Sequence, residues 1–149
     1  MDKNIILVSG AVLLREQSGK IQWFLSKEPD SDNWELPSVL VRKGESSVRA
    51  ILRIMGEKGG MTTKVLEEVG RVGGVKTVNN KTQTQRQIYY LMILKSTANE
   101  AIGFSESAWL EYAKASRRLS SKREKTILKN GRDLYKKWKK ERQIKKKQQ

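Results

Sequence analysis

Four charged residues stand four positions apart between residues 45 and 57, and they are the first candidates for chemistry in this chain. They are Glu45, Arg49, Arg53 and Glu57. Residues spaced by four lie on neighbouring turns of an α-helix, so this spacing predicts a charged stripe that winds slowly around a helix. Two interpretations are open. The stripe is a set of ordinary helix ion pairs, or its carboxylates and guanidinium groups bind a metal ion or a phosphate.

The amino-acid composition limits the kinds of chemistry that these four residues could take part in. The 149 residues contain no cysteine and no histidine, which excludes a thiolate zinc site, a cysteine nucleophile and a histidine general base. A metal at this stripe would have to be a hard cation held by oxygen ligands, such as Mg²⁺. The length is that of one domain, long enough to bury a core without disulfides.

Residues 34–61, WELPSVLVRKGESSVRAILRIMGEKGGM, resemble the Nudix box, the loop and helix signature of enzymes that hydrolyse a nucleoside diphosphate linked to another group. The family pattern is Gly-x5-Glu-x7-Arg-Glu-U-x-Glu-Glu-x-Gly-U, where U is bulky and apolar. It aligns without gaps from Val39 to Met61. The matching residues are Glu45, Arg53, Met55, Glu57, Gly60 and Met61. Val39 replaces the opening glycine, and Ile54 and Lys58 replace the first and last helix glutamates.

The resemblance implies an α/β fold, the Nudix-type α/β/α sandwich with a mixed sheet, a Nudix helix and C-terminal helices. In the family, three helix glutamates hold the Mg²⁺ ions that neutralise the pyrophosphate and help to generate the attacking water. Here Glu57 is the helix glutamate that remains. We therefore expect a pseudoenzyme that binds nucleoside di- or polyphosphates with impaired or absent magnesium-dependent hydrolysis. An active hydrolase of dinucleoside polyphosphates stays open, because one or two carboxylates plus substrate phosphates can hold Mg²⁺.

The resemblance also suggests roles for individual residues. The segments GAVLLRE, WELP, GES and MGEKGG are most similar to the diadenosine tetraphosphate hydrolase branch of the family. Glu45, Arg53 and Glu57 are the expected catalytic residues, with Glu45 and Arg53 pairing to brace the loop against the helix. Glu57 and Glu106 are the expected metal ligands, although Glu106 could equally be a solvated surface acid. The expected nucleotide-binding residues are Lys58 and Arg49, through phosphate, and Trp34, by stacking on a base.

Hydrophobic patterning predicts the elements that position these residues. Strands are expected over residues 5–14, 21–27, 34–41, 65–75 and 88–95, with a polar loop over 79–86. A helix capped by Ser46 or Ser47 should run to about Lys58 and end at Gly59 and Gly60. Two further helices are expected over residues 105–118 and 125–140. Gly10, inside the first strand, suggests a bulge or a close backbone approach.

The positive charge is concentrated at the end of the chain. Residues 114–149 contain 16 Lys and Arg against 3 Asp and Glu, a net charge of +13, out of +15 for the whole chain. We expect a Nudix-like domain over residues 1–135 and a basic tail over 136–149. The tail is either a solvated helix face or a contact surface for RNA or ribosomes, with Trp138 as a stacking residue. The first residues suit a strand better than a signal peptide, so we expect a cytoplasmic protein. No apolar run approaches the length needed to span a bilayer, so we expect no membrane partner.

Overall fold

Two layers of helices enclose a mixed β-sheet in this computed structural model, which describes residues 5–97 and 103–147, without the side chains of 76–78. Residues 148 and 149 of the predicted tail lie outside this description. Within the described ranges the chain forms seven strands and three helices. The strands are β1 (Ile5–Gln17), β2 (Lys20–Lys27), β3 (Trp34–Glu35), β4 (Ser38–Leu40), β5 (Met61–Val78), β6 (Lys81–Thr97) and β7 (Glu106–Leu110). The helices are α1 (Ser47–Gly59), α2 (Tyr112–Arg118) and α3 (Lys122–Lys147).

The sheet is mixed, as expected. Its strand order is β3-β2-β1-β6-β5, with β4 pairing with β1 and β7 pairing with β2. The long central strand β1 runs parallel to β6 and antiparallel to β2 and β4. Gly10 pairs with Tyr89 in the parallel ladder, and a Cβ at Gly10 would lie 2.5 Å from the Tyr89 ring. The predicted close approach at Gly10 is therefore confirmed.

Alternate residues of the central strands build two separate cores, because successive side chains of a strand point to opposite faces. Val12, Tyr89 and Leu91 pack with residues of α2 and α3 on one face. Ala11, Leu13, Tyr90 and Met92 face the other side, where they pack with α1. The architecture is thus an α/β/α sandwich, and the helix with the charged stripe lies on the face opposite the basic helices.

The predicted polar loop over residues 79–86 is wrong. Asn79 and Asn80 alone form the turn, with positive φ angles of 52° and 64°, and β6 begins at Lys81. Two consecutive left-handed residues match the type I′ hairpin turn, which Asn tolerates. The polar segment that follows pairs with β5 as a regular antiparallel strand, so its backbone hydrogen bonds, and not apolar burial, determine its structure.

The end of the chain also differs from the prediction. The expected helix over 105–118 begins only at Tyr112, because residues 106–110 form β7 and extend the sheet beside β2. Phe24 and Trp109 face each other across this pair with ring centroids 5.0 Å apart, and such cross-strand aromatic contacts stabilise a sheet edge. Helix α3 is longer than expected at both ends and continues through the predicted boundary at residue 136. None of the helices among the described residues is long and apolar enough to cross a membrane.

Candidate functional site

The loop after β4 and the first turn of α1 form a compact, well-capped junction. Ser46 is the N-cap, and its hydroxyl accepts a hydrogen bond from the Arg49 N–H at 3.1 Å. The helix is held to the sheet below, because the Ser9 hydroxyl donates to the Ser47 carbonyl at 2.7 Å and the Ser47 and Tyr90 hydroxyls are hydrogen-bonded. At the other end, Gly60 adopts the left-handed conformation and ends the helix, as the double glycine predicted.

Glu45 and Arg53 form a two-pronged ion pair that joins this loop to the helix. Arg53 donates from Nε to Glu45 Oε2 at 2.8 Å and from its second nitrogen to Oε1 at 3.1 Å. Glu45 also accepts the Arg42 N–H at 3.1 Å, which closes the loop on itself. The hydrogen bonds from the Arg53 side chain, followed by that from the Arg42 backbone, lower the pKa of Glu45 to about 2.

Arg53 also reaches towards the one helix glutamate of the box. One of its guanidinium nitrogens lies 3.6 Å from Glu57 Oε2, and the Glu57 side chain is 57% exposed. The guanidinium therefore lies between two carboxylates, Glu45 and Glu57. The structure brings the three predicted catalytic residues together as an acid–base–acid row along one side of α1.

A second row of α1 carries the two substituted positions. Ile54 is 6% exposed and packs in the core between α1 and the sheet. Lys58, one turn later, is half-buried, and its Nζ lies 5.6 Å from the centre of the Phe104 ring. Its carbonyl accepts the Gly103 N–H at 2.9 Å. This row holds the helix against the sheet and against the loop before β7.

The other predicted binding residues lie in three different places. Arg49 is exposed in the first turn of α1. Glu106 opens β7 and lies 4.0 Å from Lys27 Nζ. Trp34 is on the opposite face of the sheet, where it packs against the α2–α3 core with the Arg118 guanidinium 5.3 Å above its ring.

Two features of the structure were not expected from the sequence. Gly103 is required by a close approach, since a Cβ there would lie 2.5 Å from the Lys58 Cα; a single glycine in a polar loop gives no sign of that contact. The second is Glu124 of α3, which is only 9% exposed. It accepts the Leu36 N–H at 3.1 Å and the Tyr89 hydroxyl at 3.0 Å. One sign of this burial is present in the sequence, which is that Glu124 falls on the same side of α3 as the apolar residues.

Comparison with solved structures identifies the fold. The chain superposes on an Ap4A hydrolase of C. elegans with a TM-score of 0.69 and 19% identity, covering 88% of this chain and 98% of that one. The NUDIX domain of Shewanella oneidensis NrtR, solved with ADP ribose, gives a TM-score of 0.70 at 18% identity, with 89% and 90% covered. The dihydroneopterin triphosphate pyrophosphohydrolase of E. coli gives 0.65 at 12% identity, with 82% and 91% covered. The chain has the Nudix fold. No protein-family model matches the sequence, and no curated protein matches it.

The side chains of α1 do not fit a magnesium cluster built on three glutamates. Glu57 is its acidic side chain and lies beside the Arg53 guanidinium, while Ile54 and Lys58, at the two positions where the resemblance predicts further glutamates, are apolar and cationic. No group of three or more acidic side chains that could hold a metal ion occurs among residues 5–97 and 103–147. The chemistry that these side chains can perform themselves is the binding of an anion by arginine and lysine.

Proposed function

We propose that this protein binds nucleoside di- or polyphosphates on the α1 side of its Nudix fold, with impaired or absent magnesium-dependent hydrolysis. The observation that carries the proposal is the position of Arg53 between Glu45 and Glu57, with Ile54 in the core and Lys58 beside Phe104. Helix α1 carries three cationic side chains, Arg49, Arg53 and Lys58, against one anionic side chain, Glu57. The C. elegans and Shewanella proteins, which are named for Ap4A and solved with ADP ribose, support a nucleotide as the ligand.

The proposed binding contacts follow from exposure and charge. Arg49 is exposed at the start of α1, and Lys58 is half-exposed at its end. Helix N-termini and arginine side chains both favour phosphate, because their N–H groups donate to its oxygens. We propose that Lys58 binds phosphate at the end of α1 and that Arg49, on the opposite side of the helix and about 13 Å away along its axis, is a separate phosphate contact at its start. Glu45 and Arg53 position the loop. Glu57 and Glu106 are the metal ligands that the alternative, an active hydrolase, would use. Trp34 lies on the opposite face of the sheet beneath the Arg118 guanidinium, away from this site.

Titration calorimetry with ADP-ribose and with diadenosine tetraphosphate, in EDTA and again in millimolar Mg²⁺, tests this function. We expect similar binding under both conditions, and no release of product over hours in Mg²⁺. The variant K58E should lose binding in EDTA, whereas K95E, which makes the same charge change at an exposed position on β6, should retain it. Binding that requires Mg²⁺, or multiple turnovers in its presence, would instead support the active hydrolase.

A second candidate function is association with RNA or ribosomes through the basic residues at the end of the chain. The specific observation in its favour is the separation of charge within the sandwich. All 16 cationic residues after position 113 belong to α2 or α3, the helical layer on the opposite side of the sheet from α1. One of the three acids in that layer after position 113, Glu124, is buried. Nucleic acids bind such surfaces through their phosphates. Retention of RNA by wild type at low salt, and its loss after truncation at Lys136, is the expected result.

A further inference from the structure

A stripe of lysines runs along the solvent side of α3 for nearly its whole length. The inner side of the helix carries Ile127, Leu128, Gly131 and Tyr135, all buried. At 100° per residue, six lysines fall within about 60° of the direction opposite those residues. This lysine stripe consists of Lys122, Lys129, Lys136, Lys137, Lys140 and Lys147. From first to last it spans about 38 Å at a rise of about 1.5 Å per residue.

The lysine stripe is not neutralised within the part of the chain that the structure describes. None of its six ammonium groups forms an ion pair with residues 5–97 or 103–147. The three acids of α3 do not balance six lysines either, since Glu124 is buried, Asp133 lies 3.8 Å from Arg132, and Glu141 is a single exposed carboxylate. Like charges along one face repel one another, so the surface is suited to a partner that carries closely spaced negative charges.

The aromatic rings beside this surface are already covered. Trp34, Tyr112 and Trp138 each pack on the α2–α3 core with one side. Each ring also has an arginine guanidinium over it. The distance from guanidinium carbon to ring centre is 5.3 Å for Arg118 over Trp34, 3.8 Å for Arg132 over Tyr112 and 5.0 Å for Arg142 over Trp138. Trp138 is in addition stacked on Tyr135, with centroids 5.8 Å apart. Rings held in this way do not provide the open platforms on which proteins stack unpaired bases.

We infer that the lysine stripe binds the phosphate backbone of base-paired RNA, without stacking on bases. This inference rests on the proposed RNA association and changes its details, because it assigns contact to the whole outer side of α3 and removes Trp138 as a stacking residue. A straight, rigid row of point charges matches the stiff and dense phosphate array of a duplex better than a flexible strand. A membrane surface fits less well, because the large exposed apolar residue on the described part of α3 is Ile144 alone, whereas interfacial helices present a broad apolar face.

The test is fluorescence anisotropy of the full-length protein with a 20-base-pair RNA duplex and with an unstructured 20-nucleotide RNA, between 50 and 200 mM salt. Six phosphate contacts predict a slope of log affinity against log salt of roughly −5, and hence a loss of roughly 10³-fold over this range. The variant K129Q/K136Q/K140Q should lose only roughly 40-fold, because three contacts remain. The matched control K64Q/K81Q/K95Q removes the same charge from exposed positions on β5 and β6 and should behave as wild type.

The outcomes separate the two proposals. If the wild-type protein binds neither RNA, the RNA association fails and the inference fails with it. If RNA is bound but the stripe variant and its control weaken equally, or the single strand binds more tightly than the duplex, the inference alone is overturned. Tight binding to phosphatidylserine vesicles with no binding to the duplex would overturn both in favour of a membrane. A duplex preference with a shallower salt slope in the stripe variant alone supports the inference.

Discussion

Glu124 is the residue whose ionisation should most affect the stability of this protein. The carboxyl is buried beneath α3, and burial raises its pKa from 4.5 to about 7, although hydrogen bonds from the Leu36 N–H and the Tyr89 hydroxyl act in the opposite direction. The unfolded chain loses this proton near pH 4.5, whereas the folded chain keeps it to about pH 7. Between these values the unfolded state binds fewer protons, so the free energy of unfolding falls as the pH rises.

The magnitude follows from the two pKa values. The interval from 4.5 to about 7, at about 1.4 kcal/mol for each pH unit, gives about 3 kcal/mol lost by pH 8. Glutamine at position 124 can accept from the Leu36 N–H and donate to the Tyr89 oxygen, but it does not titrate. We therefore expect E124Q to gain about 3 kcal/mol relative to wild type between pH 4 and pH 8.

Urea unfolding of both proteins at pH 4, 5, 6, 7 and 8 measures this difference. The variant E141Q removes the same charge from an exposed position on the same helix, and its stability corrects for the change in net charge. The reasoning is refuted if the wild-type and E124Q curves stay parallel over this pH range, or if E124Q loses stability relative to wild type as the pH rises.

Three other predictions concern packing and the loop at α1. A Cβ at Gly131 would lie 2.6 Å from Val12 Cγ1, so G131A should lower the free energy of unfolding by about 1–3 kcal/mol in urea melts. The matched change G73A, with nothing within 4 Å of its Cβ, should have a much smaller effect, and equal losses would refute the packing argument. The variant E45Q should increase proteolysis between β4 and α1, because the Arg53 guanidinium loses its carboxylate partner; an unchanged cleavage rate would contradict the bracing role. Since the pKa of Glu45 is lowered to about 2, its stabilising effect should be lost as the pH falls from 4.5 to 2, and E45Q should not show that acid-side loss in thermal melts.

The elements with clear apolar patterns could be predicted from the sequence, and those held by backbone pairing could not. The β1–β2 hairpin and α1 follow from branched apolar runs, an N-cap serine and a double glycine. The first part of β6 is polar, so only the Asn79–Asn80 turn and the alternation of threonines indicated a strand. Residues 106–110 become β7 because the edge of β2 is available to pair with them, which is a fact of tertiary structure.

The candidate site divides in the same way. The pairing of Glu45 with Arg53 could be predicted because the resemblance to the Nudix box suggests it and the two side chains carry opposite charges. The burial of Ile54 and the contact of Lys58 with Phe104 could not, because they depend on how the loop before β7 packs on the end of α1. Trp34 adjoins the box in sequence but belongs to β3, which pairs with β2, and packs on the other face of the sheet.

We propose that α1 binds nucleotide phosphates with cationic side chains in place of a magnesium cluster. A crystal soaked with Mn²⁺ and ADP-ribose, with an anomalous difference map at the manganese edge, tests this most directly. We expect density for the diphosphate beside Lys58, and no anomalous peak coordinated by protein carboxylates. An ordered Mn²⁺ bound by Glu57 together with a second carboxylate, such as Glu106, would contradict it.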